Sequence, residues 1–180
     1  MRVLSLNRLL NTLAESEIVS LLRKFRSQKN ADLQDFIHNK AIDYEKRDRT
    51  RTFLFIENGK VIAFFSLALN VFDTTKFSNS TKKKLSPINS KDDKYIACFL
   101  IGQLGKDDEA TIKGQDILNT AVFSLQTAHS LLGSKFILVD SINNEKVIQF
   151  YTANGFKSIA PDEDGQTIKM VMFFKDKVGE

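Results

Sequence analysis

One continuous segment, residues 135–156 (KFILVDSINNEKVIQFYTANGF), constrains the fold of this chain more than any other. It begins with the apolar run Phe136–Val139, which is rich in strand-forming residues and predicts a buried β-strand. Residues 141–144 are polar and have the chemistry of a helix N-cap. From Glu145 the apolar residues recur with helical spacing, and Asn154-Gly155 predicts the helix end. The segment therefore predicts a strand, a short helix and a return to the core at Phe156.

The composition predicts one globular domain spanning residues 1–180. The chain is 42% hydrophobic and 27% charged, which is an ordinary balance for a soluble protein. We expect no membrane span, which needs roughly 18 apolar residues, and no signal peptide. The single cysteine, Cys98, excludes an intramolecular disulfide and fits the reducing cytoplasm. The net charge of +4 permits an anionic partner, such as a nucleotide cofactor or RNA, without requiring one.

Five elements precede the long polar segment of the chain. Two helices are predicted, one capped by Ser16 and running to about Arg26, the other capped by Asn30 and running to about Tyr44. An N-terminal strand is expected over residues 2–6. Asn58-Gly59, between two runs of strand formers, predicts a hairpin of strands 52–56 and 60–69.

The remaining elements follow a polar surface loop over about residues 73–93. An apolar strand is expected at 95–104, then a helix opened by Gly114 that runs to about Leu132 and is capped by Gly133. After the segment 135–156 we expect a turn at 161–165 and a last strand at 167–174. This order predicts a mixed α/β (α+β type) fold with a largely antiparallel sheet.

The segment 135–156 resembles the C-terminal half of a GCN5-related N-acetyltransferase (GNAT) domain. That family has an Asn, then (F/L)Y and a GF pair, which stand here as Asn144, Phe150-Tyr151 and Gly155-Phe156. The element order matches a GNAT domain over nearly the whole chain. The resemblance implies a sheet of about six to seven strands flanked by four helices, and acetyl-CoA-dependent acetylation of a primary amine.

The resemblance also implies where acetyl-CoA binds. The strand edge for its pantetheine arm comprises Ile101, Gly102, Gln103 and Leu104. The family's pyrophosphate loop, Q/R-x-x-G-x-G/A, falls on residues 109–114. Helix N-termini attract anions, but Glu109 replaces the Q/R position and Ile112 the first glycine, and only Gly114 is retained. Lys113 offsets the acid in part, and Gln115 completes the predicted set. A plain helix start is the alternative.

Tyr151 is the predicted catalytic residue, because in many family members the Tyr at this position protonates the leaving CoA thiolate. The alternative is a Tyr that only packs in the core. Asn144 is expected to contact the cofactor arm, to cap the helix, or both. Phe150 belongs to the predicted cofactor set, with simple packing as its alternative.

The sequence does not identify the general base. Glu57, Asp140 and His38 are candidates beside water, and an isolated His is more often structural. His129 suits the end of a helix better than catalysis. Cys98 is expected to be a core residue, since no neighbour in sequence lowers its pKa. No residue spacing suggests a metal site.

The N-terminal half is similar to the toxin-type branch of the family in its helix pattern (Phe25, Leu33, Phe36-Ile37) and its Arg51-Thr52-Phe53 strand. That branch acetylates aminoacyl-tRNA and is neutralised by a small antitoxin protein. Two basic clusters suit RNA, although acids beside them favour solvated charge runs; they are Lys46, Arg47, Arg49 and Arg51, and Lys82–Lys84. A homodimer is compatible with the family.

Three functions remain open from the sequence: an N-acetyltransferase of unknown amine, a tRNA-acetylating toxin, and a non-catalytic GNAT that serves as a binding module.

Overall fold

The structure, a computed structural model, describes residues 1–161 and 165–174. The strands are β1 (Arg2–Ser5), β2 (Arg51–Glu57), β3 (Lys60–Asp73), β4 (Tyr95–Lys106), β5 (Phe136–Ile142), β6 (Lys157–Pro161) and β7 (Thr167–Phe173). The helices are α1 (Leu6–Leu10), α2 (Glu15–Leu22), α3 (Ala31–Asp35), α4 (Ala41–Lys46), α5 (Asn79–Leu85), α6 (Gly114–Leu132) and α7 (Glu145–Ala153). A π-helical turn, Phe36–Lys40, lies between α3 and α4.

The chain forms two compact units: unit 1 is Met1–Ala68 with Ile101–Phe123, and unit 2 is Leu69–Leu100 with the described residues from Ser124 onward. In unit 1 the strand order is β1-β2-β3-β4. The β2–β3 hairpin turns at Asn58 and Gly59, whose φ values are 50° and 70°, as the sequence predicts. Apolar side chains from α1, α2, the π-helical turn, β2 and β3 form one buried core, with Phe25 edge-on to Phe64 at 5.2 Å.

In unit 2 the strand order is β3-β4-β5-β7-β6. The β4–β5 pair is parallel, and β5–β7 and β6–β7 are antiparallel. The β4–β5 ladder holds Phe99–Ile137 and Leu100–Leu138 and ends there, although β4 continues to Lys106. The core of unit 2 includes Phe72, Cys98, Phe136 and Val171.

The predicted fold class, mixed α/β with a mostly antiparallel sheet of six to seven strands, is confirmed by the seven strands of the described residues. The four predicted helical regions are present. The structure adds α1, where Ser5 accepts a hydrogen bond from the Arg8 N–H, and α5 within the polar loop. It also adds strand β6 beside β7.

Two helix predictions need correction. Ser16 is not the cap of α2, because the helix begins at Glu15 and the Glu17 carboxylate accepts the Ala14 N–H at 3.0 Å. That helix ends at Leu22 and not near Arg26. The second helix begins after Asn30 as predicted, where the side chain accepts the Leu33 N–H, but the π-helical turn interrupts it.

Near the C-terminus, residues 162–164 of the predicted turn lie outside the described residues. Within the described part of the chain, no helix has the length and apolar character that crossing a bilayer requires.

Candidate active site

Tyr151 lies in the last turns of α7, in unit 2. Its ring packs edge-on against Phe150 at 5.2 Å and Phe156 at 5.4 Å between centroids. Burial raises the pKa of Tyr151 to about 12, because a low-dielectric site disfavours the phenolate. The hydroxyl therefore keeps its proton at neutral pH, as a proton donor must.

Asn144 caps α7: its side-chain oxygen accepts the Lys146 N–H at 3.1 Å. The capping alternative for this residue is therefore observed. The side chain is exposed, and its predicted contact with the cofactor arm stays a prediction. At the other end of α7, Gly155 takes a φ of 86° whereas the φ of Asn154 is −101°, so only the glycine uses the left-handed conformation.

The predicted cofactor strand and loop lie in unit 1. Of the strand residues, Ile101 is buried, Gly102 is exposed, and Gln103 and Leu104 are partly buried. Helix α6 begins at Gly114 as predicted. The N–H groups of a helix's first turn attract anions, and the predicted pyrophosphate contact here stays a prediction. Lys106 extends along the loop, and its ammonium donates to the Ala110 carbonyl at 3.3 Å.

The structure shows the surroundings of Ile112 and Glu109, the two residues at which the loop departs from the family pattern. Within the described residues only Asp48, Asn58 and Asn89 combine a side chain with positive φ, so the loop makes no left-handed demand on Ile112. Glu109 is paired: its carboxylate lies 2.9 Å from the ammonium of Lys60. The cation that offsets Glu109 is therefore Lys60 on β3, a residue that the sequence analysis missed.

The general-base candidates are engaged in contacts of their own. The Glu57 carboxylate lies 3.5 Å from the N-terminal amine, and Asp140 lies 3.2 Å from the Lys169 ammonium. The His38 Nε2 is 3.0 Å from the Phe25 carbonyl, and burial lowers the pKa of His38. His129 stacks on Phe174 at 4.0 Å between centroids. None of these contacts identifies a base.

Cys98 is buried, as predicted, and burial raises the pKa of its thiol to about 11. A thiol with that pKa is almost entirely protonated at neutral pH and is a poor nucleophile.

The two basic clusters differ in their surroundings. In the first, every cation has a partner: Lys46 pairs with Glu15, Arg47 with Asp43 and Arg51 with Asp48, and Arg49 lies over the Tyr44 ring. The second, Lys82–Lys84, is carried by α5. Lys84 lies 5.6 Å from the Phe173 ring centroid, and none of the three lysines forms an ion pair within the described residues. The lysine cluster is the better candidate for an anionic partner.

The fold is the GNAT fold that the sequence predicts. No protein-family model matches the sequence, and no curated protein matches it. Solved structures do. A crystal structure of a bacterial toxin has a TM-score of 0.71 at 17% identity and covers 96% of this chain and 90% of that chain.

Two structures of the toxin AtaT are also similar. AtaT complexed with acetyl-methionyl-tRNAfMet has a TM-score of 0.65 at 21% identity, covering 87% of this chain and 88% of that chain. A mutant AtaT bound to the C-terminus of the antitoxin AtaR and to acetyl-CoA has a TM-score of 0.62 at 17% identity. It covers 83% of this chain and 84% of that chain. At identities this low, the similarity to these structures establishes a shared fold and nothing further.

Proposed function

We propose that this protein is an acetyl-CoA-dependent N-acetyltransferase that acetylates a primary amine. The observation that carries the proposal is the fold, which this protein shares with an AtaT structure that contains acetyl-CoA. Two features of the described chain support it. The β4–β5 ladder ends at Leu100–Leu138, and α6 begins at the predicted glycine after β4.

In the proposed reaction, acetyl-CoA supplies the acetyl group as a thioester. The acceptor amine forms the new amide bond to the acetyl carbon, and the carbon–sulfur bond breaks with its electron pair staying on sulfur. The amine gives one proton to water, and after Tyr151 has protonated the thiolate its tyrosinate regains a proton from water. Tyr151 is assigned to donate a hydrogen bond, and then its proton, to the departing thiolate. Its high pKa ensures that the donor is present, although it also makes complete transfer to a thiolate uphill unless the bound state changes that pKa.

The predicted cofactor contacts keep their assignments in this proposal. The backbone of Ile101, Gly102, Gln103 and Leu104 is assigned to the pantetheine arm. Asn144 and Phe150 keep their predicted roles as cofactor contacts. The pyrophosphate is assigned to the backbone of the loop and helix start that comprises Glu109, Ile112, Lys113, Gly114 and Gln115, and not to the Glu109 carboxylate. Backbone N–H groups at the start of a long helix bind anions whatever the side chains are, which suits a loop with only one of the family's glycines.

The acceptor that we favour is the amine of an aminoacyl-tRNA. One AtaT structure contains acetyl-methionyl-tRNAfMet, and the cluster Lys82–Lys84 offers this protein a cationic surface for RNA phosphates. This version of the proposal also includes a cytoplasmic site of action and neutralisation by an antitoxin protein. AtaT bound to the C-terminus of AtaR is the supporting precedent.

Calorimetric titration with acetyl-CoA and with CoA tests the proposal first. We expect binding in the micromolar range. No binding at millimolar cofactor would support the non-catalytic alternative. If acetyl-CoA binds, an assay for acetylation of charged tRNA distinguishes a toxin from an enzyme that acts on another amine. A growth assay makes the same distinction, because a toxin should arrest growth when it is induced and the product of a neighbouring gene should relieve that arrest.

A further inference from the structure

The carboxylate of Asp107, directly after β4, is buried, with 1% of the residue exposed. Its Oδ2 accepts the Arg26 N–H at 2.8 Å, and its Oδ1 accepts the Lys60 ammonium at 2.8 Å and the Glu109 N–H at 3.1 Å. Burial acts to raise the pKa of Asp107, but these hydrogen bonds outweigh it and hold the pKa below its ordinary value. Asp107 is therefore a buried, fully engaged anion at the start of the loop.

Lys60 lies between two carboxylates, 2.8 Å from Asp107 and 2.9 Å from Glu109. The hydrogen bonds to Asp107 and Glu109 raise the pKa of Lys60, so the ammonium stays charged. The two acids differ in exposure: the Asp107 side chain is 1% exposed and the Glu109 side chain 85%. The ion pair with Lys60 therefore restrains an exposed carboxylate at Glu109, whereas burial and hydrogen bonds hold the carboxylate of Asp107.

Residues 107 and 108, which lead into the loop, are bonded to the same region of the chain. The Asp108 N–H donates to the Arg26 carbonyl at 3.0 Å, and its carboxylate accepts the Gln28 N–H at 2.7 Å. The Asp107 N–H donates to the Ile62 carbonyl at 2.9 Å. These bonds join the residues that precede the loop to β3 and to the segment before α3, so they fix the point at which the loop begins.

We propose that Lys60 is a positioning residue for cofactor binding: anchored by buried Asp107, it holds the Glu109 carboxylate and keeps that charge away from the anion-binding start of α6. The inference rests on the proposed function, since it takes the anion to be the pyrophosphate of acetyl-CoA. It explains how a loop with an acid at the family's Q/R position accommodates a dianion. An unpaired exposed carboxylate beside that site would repel the ligand.

The test is a set of CoA titrations, with the free energy of unfolding measured alongside. Lys60→Met should weaken CoA binding on the order of tenfold, because Glu109 then carries an uncompensated charge. It should also lower stability, because it leaves Asp107 buried without its cation. Adding Glu109→Gln should restore most of the affinity but none of the stability.

If Lys60 has only a structural role, Lys60→Met should still lower both affinity and stability, but adding Glu109→Gln should restore neither. That result overturns the inference. If Lys60→Met does not fold, Lys60→Gln keeps a neutral hydrogen-bond donor for Asp107 and still removes the cation that pairs with Glu109. The same rescue by Glu109→Gln is then required. A wild type that binds no CoA overturns the proposed function itself, and the inference with it.

Discussion

Leu33 in α3 and Gly105 in β4 lie so close together that a side chain at residue 105 would overlap the methyl groups of Leu33. A Cβ at Gly105 would lie 2.8 Å from Cδ1 and 3.3 Å from Cδ2 of Leu33. Separations below 3 Å are repulsive for carbon atoms. The glycine therefore lets α3 approach β4 next to the predicted cofactor strand.

Gly105→Ala should lower the free energy of unfolding by on the order of 1 kcal/mol, through overpacking against Leu33. Because the clashing atoms are the terminal methyl groups of Leu33, Leu33→Ala should relieve the strain in the same chain. A double-mutant cycle by urea denaturation should then show favourable coupling of about 0.5–2 kcal/mol. Strictly additive effects would show that the contact carries no strain.

Tyr151→Phe should lower kcat by about 100-fold or more while the Kd for CoA holds, because the ring still packs and only the proton donor is lost. Since the pKa of Tyr151 is about 12, its ionisation should not affect turnover near neutral or mildly alkaline pH. The ratio of wild-type to variant kcat should therefore stay constant up to about pH 10. A ratio that falls toward one in that range would exclude Tyr151 as the acid.

Local chemistry made part of this fold predictable from the sequence. The Asn58-Gly59 turn, the Asn30 and Asn144 caps and the start of α6 depend on neighbours in sequence, and all four are present. Helix α1 was missed because it is too short for a helical period to show.

The contacts that shape the predicted cofactor loop were not predictable in this way. Lys60 and Asp107 lie 47 residues apart, and no local pattern links them. Comparison with the family pattern predicts that Glu109 repels the pyrophosphate and that Ile112 cannot adopt the positive φ of a glycine. In the structure, Lys60 pairs with Glu109 and the backbone at Ile112 does not have a positive φ.

Neutralising two lysines of α5 should weaken tRNA binding more than neutralising two paired cations elsewhere. Lys82→Gln with Lys83→Gln should lower affinity and reduce the slope of log K against log salt by about one unit per lysine. The matched control is Lys46→Gln with Arg47→Gln, which removes the same charge from side chains already paired with Glu15 and Asp43. Equal losses in both variants would mean that total charge, and not this surface, governs binding.

His38, in the π-helical turn, should make the stability of the protein pH-dependent. Its Nε2–H donates to the Phe25 carbonyl. Burial, with repulsion from Arg23 and Arg26, lowers its pKa below the ordinary 6.5, although the bond to Phe25 acts in the opposite direction. The unfolded chain therefore takes up the proton first as pH falls, so this contribution to stability is complete above about pH 6.5 and declines below it.

The measurement is urea denaturation at several pH values between about 7.5 and 5, on the wild type and on His38→Gln. Glutamine is a neutral hydrogen-bond donor that does not titrate, so the variant should lose less stability than the wild type over this interval. Identical pH dependence in the two proteins would show that His38 titrates no differently in the folded and unfolded chains.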